Sequence, residues 1–320
     1  MPDPTPATRF RGPDEIGKVC VVGSGLIGSG WVAAFLAHGL EVAVCDPSPD
    51  AEAKVRAHIA SAWPALTARG LRDGASPDAV SFHSELEPAL EGVDFVQENT
   101  PERRDLKSDL FSRLGRLLPA DVIIASSTSG MPVSLLQSDC AHPERCVLGH
   151  PFNPVHLMPL VEVGGGDKTD PAAVAAATAL YLAMGKAPVH VRREIVGHIA
   201  NRLTSAMFRE AVALVADGYA TVEDVDRAIR FGPALKWAIQ GQFTTFHTGG
   251  GDGGLAGFLH HFAPGIMQRW ETMTIPDLAD PALQEKLVQQ VDAANAGRSV
   301  ADIARHQDEM ILKLLQALDD

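Results

Sequence analysis

The sequence predicts an α/β fold: a doubly wound, mostly parallel sheet followed by an all-helical C-terminal domain. Three observations lead there. Short apolar runs alternate with helical patterns as far as about residue 192, the order expected of βα units. A glycine-rich turn, GSGLIGSG, follows the first apolar run directly. Beyond residue 193 the periodic stretches have helical spacing, and no strand signal returns. A chain of 320 residues exceeds what one core usually serves. The expected division is therefore a polar lead-in over 1–17, a nucleotide-binding domain over 18–193 and a helical domain over 194–320.

Composition narrows the function. Hydrophobic residues make up 46% and charged residues 21%, ordinary values that permit a sizeable core. The net charge is −13 with no cluster of five or more Lys or Arg, so no nucleic-acid partner is expected. The N-terminus has no apolar signal core and no run of eighteen apolar residues occurs, which disfavours secretion and membrane spanning. Cys20, Cys45, Cys140 and Cys146 lack CxxC spacing; they read as reduced structural thiols of a cytoplasmic protein, and no metal is expected.

In chain order, KVCVVG reads as a strand that runs into Gly23, Gly25 and Gly28, with a small-residue helix behind them. This is the G-x-G-x-x-G spacing in its required strand, turn and helix context. The glycines permit the turn and a close pyrophosphate approach, and the helix N-terminus receives the negative charge. Leu26 and Ile27 complete the loop on the cofactor side. A second strand, EVAVCD, ends in Asp46, eighteen residues after Gly28, where a carboxylate can accept the ribose hydroxyls of NAD and would repel the extra phosphate of NADP. The expected cofactor is NAD, on a Rossmann-type sheet.

From Ala51 to Gly70 the pattern is helical, with Val55, Ile59, Ala62 and Leu66 on one face. A short helical piece, Ser84 to Leu90, precedes a buried strand, DFVQE. An amphipathic helix follows, marked by Leu106, Leu110, Leu114 and Leu117. Glu102 and Lys107 stand at its start, near where the nicotinamide would lie; a solvated helix start is the alternative. The strand VIIAS leads to Ser126, Ser127, Thr128 and Ser129, at the sheet edge where doubly wound folds bind ligands. A helix N-cap before MPVSLL would also account for these hydroxyls.

Within GHPFNPVHLMPLVEV a strand ends at His150 and a second apolar run returns Glu162 on a neighbouring element. Such a pair suits proton transfer, because imidazole titrates near neutrality and a carboxylate can hold its charged form. On the residues alone, a satisfied core histidine and a strand-end charge remain open. After a helix from Pro171 to Met184 and a strand, APVHV, the helical pattern of 197–217 places Ile199, Leu203, Met207, Ala211 and Leu214 together, with Asn201 polar at its beginning. TVEDVDRAIRFG, GGLAGFLHHFAPGIMQRWETM and QDEMILKLLQAL read as further helices. The sparse aromatics concentrate here; most read as core, and Phe246, Phe258 and Phe262 are candidates for a cage around a quaternary ammonium.

With the glycine fingerprint, ENTPERRDLK, ASSTSG, GHPFNPVHLMPLVEV and GHIANRL in this order, the chain resembles the 3-hydroxyacyl-CoA dehydrogenase superfamily over almost its whole length. The resemblance implies NAD-dependent oxidation of a 3-hydroxy acid. It also implies His150 as acid/base with Glu162 as partner, Ser129 and Asn201 as substrate-side hydrogen-bonders, Glu102 and Lys107 at the nicotinamide, and a homodimer formed through the helical domain. Within the superfamily, SGWVAAFLAHGLEVAVCDPSP, ASSTSGMPVS and TGGGDGGLAGFLHHFAP resemble the carnitine-oxidising branch, which implies L-carnitine as the small-molecule substrate. L-Gulonate, an L-3-hydroxyacyl-CoA, or a non-catalytic NAD-binding role are the alternatives. Against CoA, residues 51–86 contain Lys54 as their only lysine. Two departures from the carnitine pattern are Asn201, where aspartate is expected, and GHI in place of GFI.

Overall fold

The computed structural model describes residues 10–319. Its centre is an eight-stranded sheet formed by β1 (Lys18–Val22), β2 (Glu41–Cys45), β3 (Val80–His83), β4 (Phe95–Glu98), β5 (Ile123–Ser126), β6 (Cys146–Pro151), β7 (Leu160–Gly165) and β8 (Ala187–Val191). The strand order is β3-β2-β1-β4-β5-β6-β7-β8. Strands β1 to β6 run parallel, β7 is antiparallel to β6, and β8 is parallel to β7. The order reverses direction between β1 and β4, which opens the crevice at the strand C-termini where such sheets take ligands.

Helices cover both faces, as buried parallel strands require. On one side α1 (Leu26–Ala37), α2 (Ala51–Arg69) and α6 (Pro171–Ala183) pack around Trp31, Phe35, Phe95 and Tyr181. Opposite them lie α3 (Leu86–Ala89), α4 (Arg104–Leu117) and α5 (Val133–Leu136), built on Phe111, Leu114, Leu136 and Ile124. The expected face of α2 is buried at all four positions. That of α4 is shifted: Leu106 and Leu117 are exposed, and the buried stripe is Lys107, Leu110, Phe111 and Leu114. The strand β3 escapes the sequence pattern because none of its four residues is fully buried: Val80, Phe82 and His83 are half-buried and Ser81 is exposed.

The lead-in expected over 1–17 lies outside the described residues up to position 9. Its remainder is anchored, with Phe10 and Ile16 buried in the core and Arg11 paired with Asp94 and Asp121.

The chain divides into two units. One comprises residues 10–201 with Gln307–Asp319, the other Arg202–His306. After α7 (Ala200–Ala216), the helical part continues with α8 (Val222–Phe231), α9 (Pro233–Gly249), α10 (Gly254–Thr272), α11 (Pro281–Asn295) and α12 (Val300–Asp319). The helices α9 and α11 add to those expected from the pattern. Thr221 and Asp224 form a capping box that starts α8. Lys286 Nζ donates to Val215 O at 2.6 Å, binding α11 to α7. No described helix is long and apolar enough to cross a membrane.

Candidate active site

The antiparallel pairing of β6 and β7 sets His150 directly opposite Glu162. Side chains of directly opposed residues share a sheet face, and here the imidazole Nδ1 lies 2.8 Å from Glu162 Oε2. Both residues are buried. The second carboxylate oxygen, Oε1, accepts from the amides of Ile199 at 2.7 Å and Ala200 at 2.9 Å. These amides stand at the start of α7, where an anion is favoured by unpaired N–H groups and the helix dipole. Burial pushes the Glu162 carboxyl up, but the hydrogen bonds from His150 and from the two amides outweigh it and hold the group below the usual carboxylate range. Glu162 is therefore an anion at neutral pH, and His150 Nδ1 is its donor. This bond selects the tautomer in which a neutral imidazole carries its proton on Nδ1 and presents the lone pair of Nε2, as a general base requires.

His150 lines a cavity of about 430 Å³ together with Ile27, Glu102, Lys107, Ser129, Phe152 and Asn201. Sequence reasoning thus identified residues that the fold brings to one wall. Ser129 is exposed toward solvent, and Asn201 Nδ2 is 3.5 Å from Ser129 O, a long contact. The N-cap reading of the serine run does not hold: α5 is preceded by Pro132 without a side-chain cap. Ser126 and Thr128 instead donate to Glu98 Oε2 and Glu102 Oε1, at 2.6 and 2.5 Å.

The residues at the start of α4 divide in two. Lys107 is buried, not solvated, and its Nζ lies 2.7 Å from Glu98 Oε1 and 3.7 Å from Glu102 Oε2. Glu98 is fully buried and also accepts from Thr100 N and Oγ1, both at 2.6 Å. Glu102 is exposed and also takes the amides of Ser129 and Gly130 at 3.1 and 3.2 Å.

Three further residues were not singled out from sequence. Glu98 is one. Gln97, fully buried, donates to Gly149 O at 3.0 Å and accepts from Tyr181 Oη at 2.6 Å, fixing the backbone next to His150. His198 is buried with φ +48°, its Nε2 is 2.9 Å from Thr128 O, and its ring centroid is 5.2 Å from that of His150. A carbonyl only accepts, so His198 Nε2 carries a proton. Burial holds the ring below its usual pKa, which leaves it neutral at neutral pH. The available signals were a polar Gln-Glu pair ending a strand bound to be buried, and a histidine beside a glycine at a helix start.

The glycine loop fits a dinucleotide. Gly23 has φ +87°, and a Cβ there would come within 2.7 Å of Asn99 O; at Gly28 a Cβ would meet Gly23 O at 1.9 Å. The space beside Gly25 is open, and α1 begins at Leu26, so its first amides are unpaired toward the loop. Leu26 is exposed there. Asp46 Oδ2 accepts from Ser24 N and Oγ, both at 2.7 Å, and Oδ1 from Ser48 N at 2.9 Å. Burial raises its carboxyl, but these bonds outweigh the effect and hold it ionised. In the helical unit, Phe246 and Phe258 stack at 4.5 Å and Phe262 joins at 4.9 Å from Phe258. The faces that Phe246 and Phe258 turn to each other are thereby occupied.

Comparison with known proteins agrees with this geometry. Residues 18–195 match the family model described as 3-hydroxyacyl-CoA dehydrogenase, NAD binding domain. Residues 197–298 match its C-terminal domain. The chain is 45% identical over 304 residues to L-carnitine dehydrogenase of Pseudomonas putida, covering 95% of this chain and 94% of that one. It is 47% identical over 305 residues to L-carnitine dehydrogenase of Streptomyces coelicolor, covering 95% and 96%. Among solved structures it is similar to the NAD+-dependent 5-formyl-3-hydroxy-2-methylpyridine 4-carboxylic acid 5-dehydrogenase, with a TM-score of 0.82, 27% identity and coverage of 95% and 99%. The chain belongs to the 3-hydroxyacyl-CoA dehydrogenase family, NAD-dependent oxidoreductases with a Rossmann-type sheet and a helical C-terminal domain.

Proposed function

We propose that this enzyme oxidises the 3-hydroxyl of L-carnitine to 3-dehydrocarnitine. The observation that carries the chemistry is the His150–Glu162 pair seated on the first amides of α7; the substrate is supported by the relatives named L-carnitine dehydrogenase. Gly23, Gly25, Leu26, Ile27 and Gly28 would hold the pyrophosphate side of NAD, Asp46 its adenosine ribose, and Glu102 and Lys107 its nicotinamide end. Bound there, NAD supplies the hydride acceptor. His150 Nε2 takes the hydroxyl proton, and the resulting imidazolium keeps its Nδ1–H on Glu162, whose negative charge stabilises it. In reverse, the imidazolium returns that proton to the forming alkoxide. Ser129 and Asn201 hydrogen-bond the substrate oxygens and orient the alcohol.

The trimethylammonium group we assign to the aromatic rings of Phe246, Phe258 and Phe262, of which Phe262 is the exposed member, by cation–π contact worth about 2 kcal/mol when desolvated. Homodimerisation through the helical part is supported by its exposed apolar side chains, including Ile239, Phe243 and Trp270. A cytoplasmic location is supported by four free, buried thiols.

Initial rates of NADH formation with L-carnitine, L-gulonate and 3-hydroxybutyryl-CoA test the reading. L-Carnitine is expected to give the highest kcat/KM. Absence of turnover with it, alongside turnover of another substrate, overturns the assignment.

A further inference from the structure

A second cavity, of about 370 Å³, shares no lining residue with the first. Its walls are the C-terminal ends of α1, α2 and α6 and the β6–β7 connection. Its ionisable lining is basic throughout: His38, Arg69, Arg72, His156 and Lys186, with no Asp or Glu among the described residues. That is unusual in a chain of net charge −13.

Two of the basic groups are held by carbonyl dipoles. Lys186 Nζ donates to the carbonyls of Val155 and Met158, and Arg72 donates to Ala183 O at 3.2 Å. These carbonyls, two in the β6–β7 connection and one at the end of α6, place the two cations well but do not cancel a full charge. The bases also disfavour one another. Burial and then Arg72 lower His38. Burial, His58 and Lys186 bring His156 to about 4. Burial and Arg69 bring Lys186 to about 7. One carboxylate approaches from α12, Asp308, with Oδ2 at 3.8 Å from His156 Nε2, and burial raises its own pKa toward the neutral acid. Among the described residues, His156 Nδ1 is buried without a hydrogen-bond partner, on a side chain only 6% exposed. A buried polar atom without a partner is rare, and a bound water or a ligand at this wall would supply one.

We propose that this cavity is a binding site for a small oxyanion, bearing phosphate or carboxylate groups, held by Arg72 and Lys186 with His38 and His156 as hydrogen-bond donors. An anion raises the proton affinity of Lys186, His38 and His156, so binding takes up protons and tightens as pH falls. The carbonyl cage of Lys186 fixes its amine in place, ready to take up a proton when an anion binds, and the exposed Arg72 gives the site an entrance.

The test is isothermal titration calorimetry on the full-length, NAD-saturated protein, with inorganic phosphate, pyrophosphate and succinate as probes. Filling the glycine loop with NAD removes the competing phosphate site. We expect saturable binding of at least one probe, tighter by about fivefold at pH ~6.5 than at pH ~8.5. Arg72→Ala is expected to weaken it about tenfold, the loss of one charge-assisted hydrogen bond. Tighter phosphate than succinate identifies a phosphorylated ligand, and the reverse a carboxylate. No saturable heat with any probe, or affinity unchanged by both Arg72→Ala and His156→Phe, overturns the proposal.

Discussion

Glu162 serves two partners at once: one oxygen faces the imidazole, and the other holds the first amides of α7. Two predictions separate these roles from that of the base itself. His150→Ala removes the proton acceptor and leaves the glycine loop untouched, so kcat is expected to fall about 10²–10⁴-fold with NAD affinity nearly unchanged, measured by initial rates and by NAD titration. Glu162→Gln keeps an acceptor for the amides but loses the charge, so kcat falls while the fold persists. Its stability effect has a defined pH course. The folded pKa lies below the unfolded value of about 4.3, so the wild-type advantage over Glu162→Gln is fully present above that value and disappears as pH falls through the lower folded one. Denaturation of both proteins across acidic pH checks the sign. His198→Phe keeps an aromatic ring but strands the Thr128 carbonyl, for a loss of about 1–3 kcal/mol.

The β6–β7 pair shows why the pairing of His150 with Glu162 was legible. Two apolar runs joined by a proline-bearing connection read as neighbouring strands, and the register then opposes residues 150 and 162. Glu98 and Gln97 were not legible as functional, because their partners lie on α4, β5, β6 and α6, and only the strand order brings those together. The shifted face of α4 has the same origin: an ion pair with Glu98 takes Lys107 into the interior, against its composition. The glycine loop was legible because backbone sterics dictate it locally. Gly28→Ala forces a methyl to within 1.9 Å of Gly23 O. Overpacking of about 1–3 kcal/mol and a marked loss of NAD affinity are expected, read by thermal melting and NAD titration.

At the scale of the whole molecule, the sheet unit holds nearly all the buried apolar residues, while the helical unit contributes few, among them Val212, Val215, Val225 and Leu283. The stripe expected to be the core of α7 is largely exposed at Ile199, Leu203 and Met207. Apolar helix faces of this kind mark association surfaces. Phe243 on α9 is exposed as well, and for the homodimer proposed above Phe243→Glu is expected to shift dimer to monomer in sedimentation equilibrium; a wild-type monomer overturns that proposal.

The seat of Glu162 on the amides of residues 199 and 200 carries one more consequence. Those two protons become built-in gauges of catalytic competence. Hydrogen exchange at Ile199 and Ala200 should quicken whenever the carboxylate lets go of the helix, and activity should fade in step, before the sheet itself begins to open.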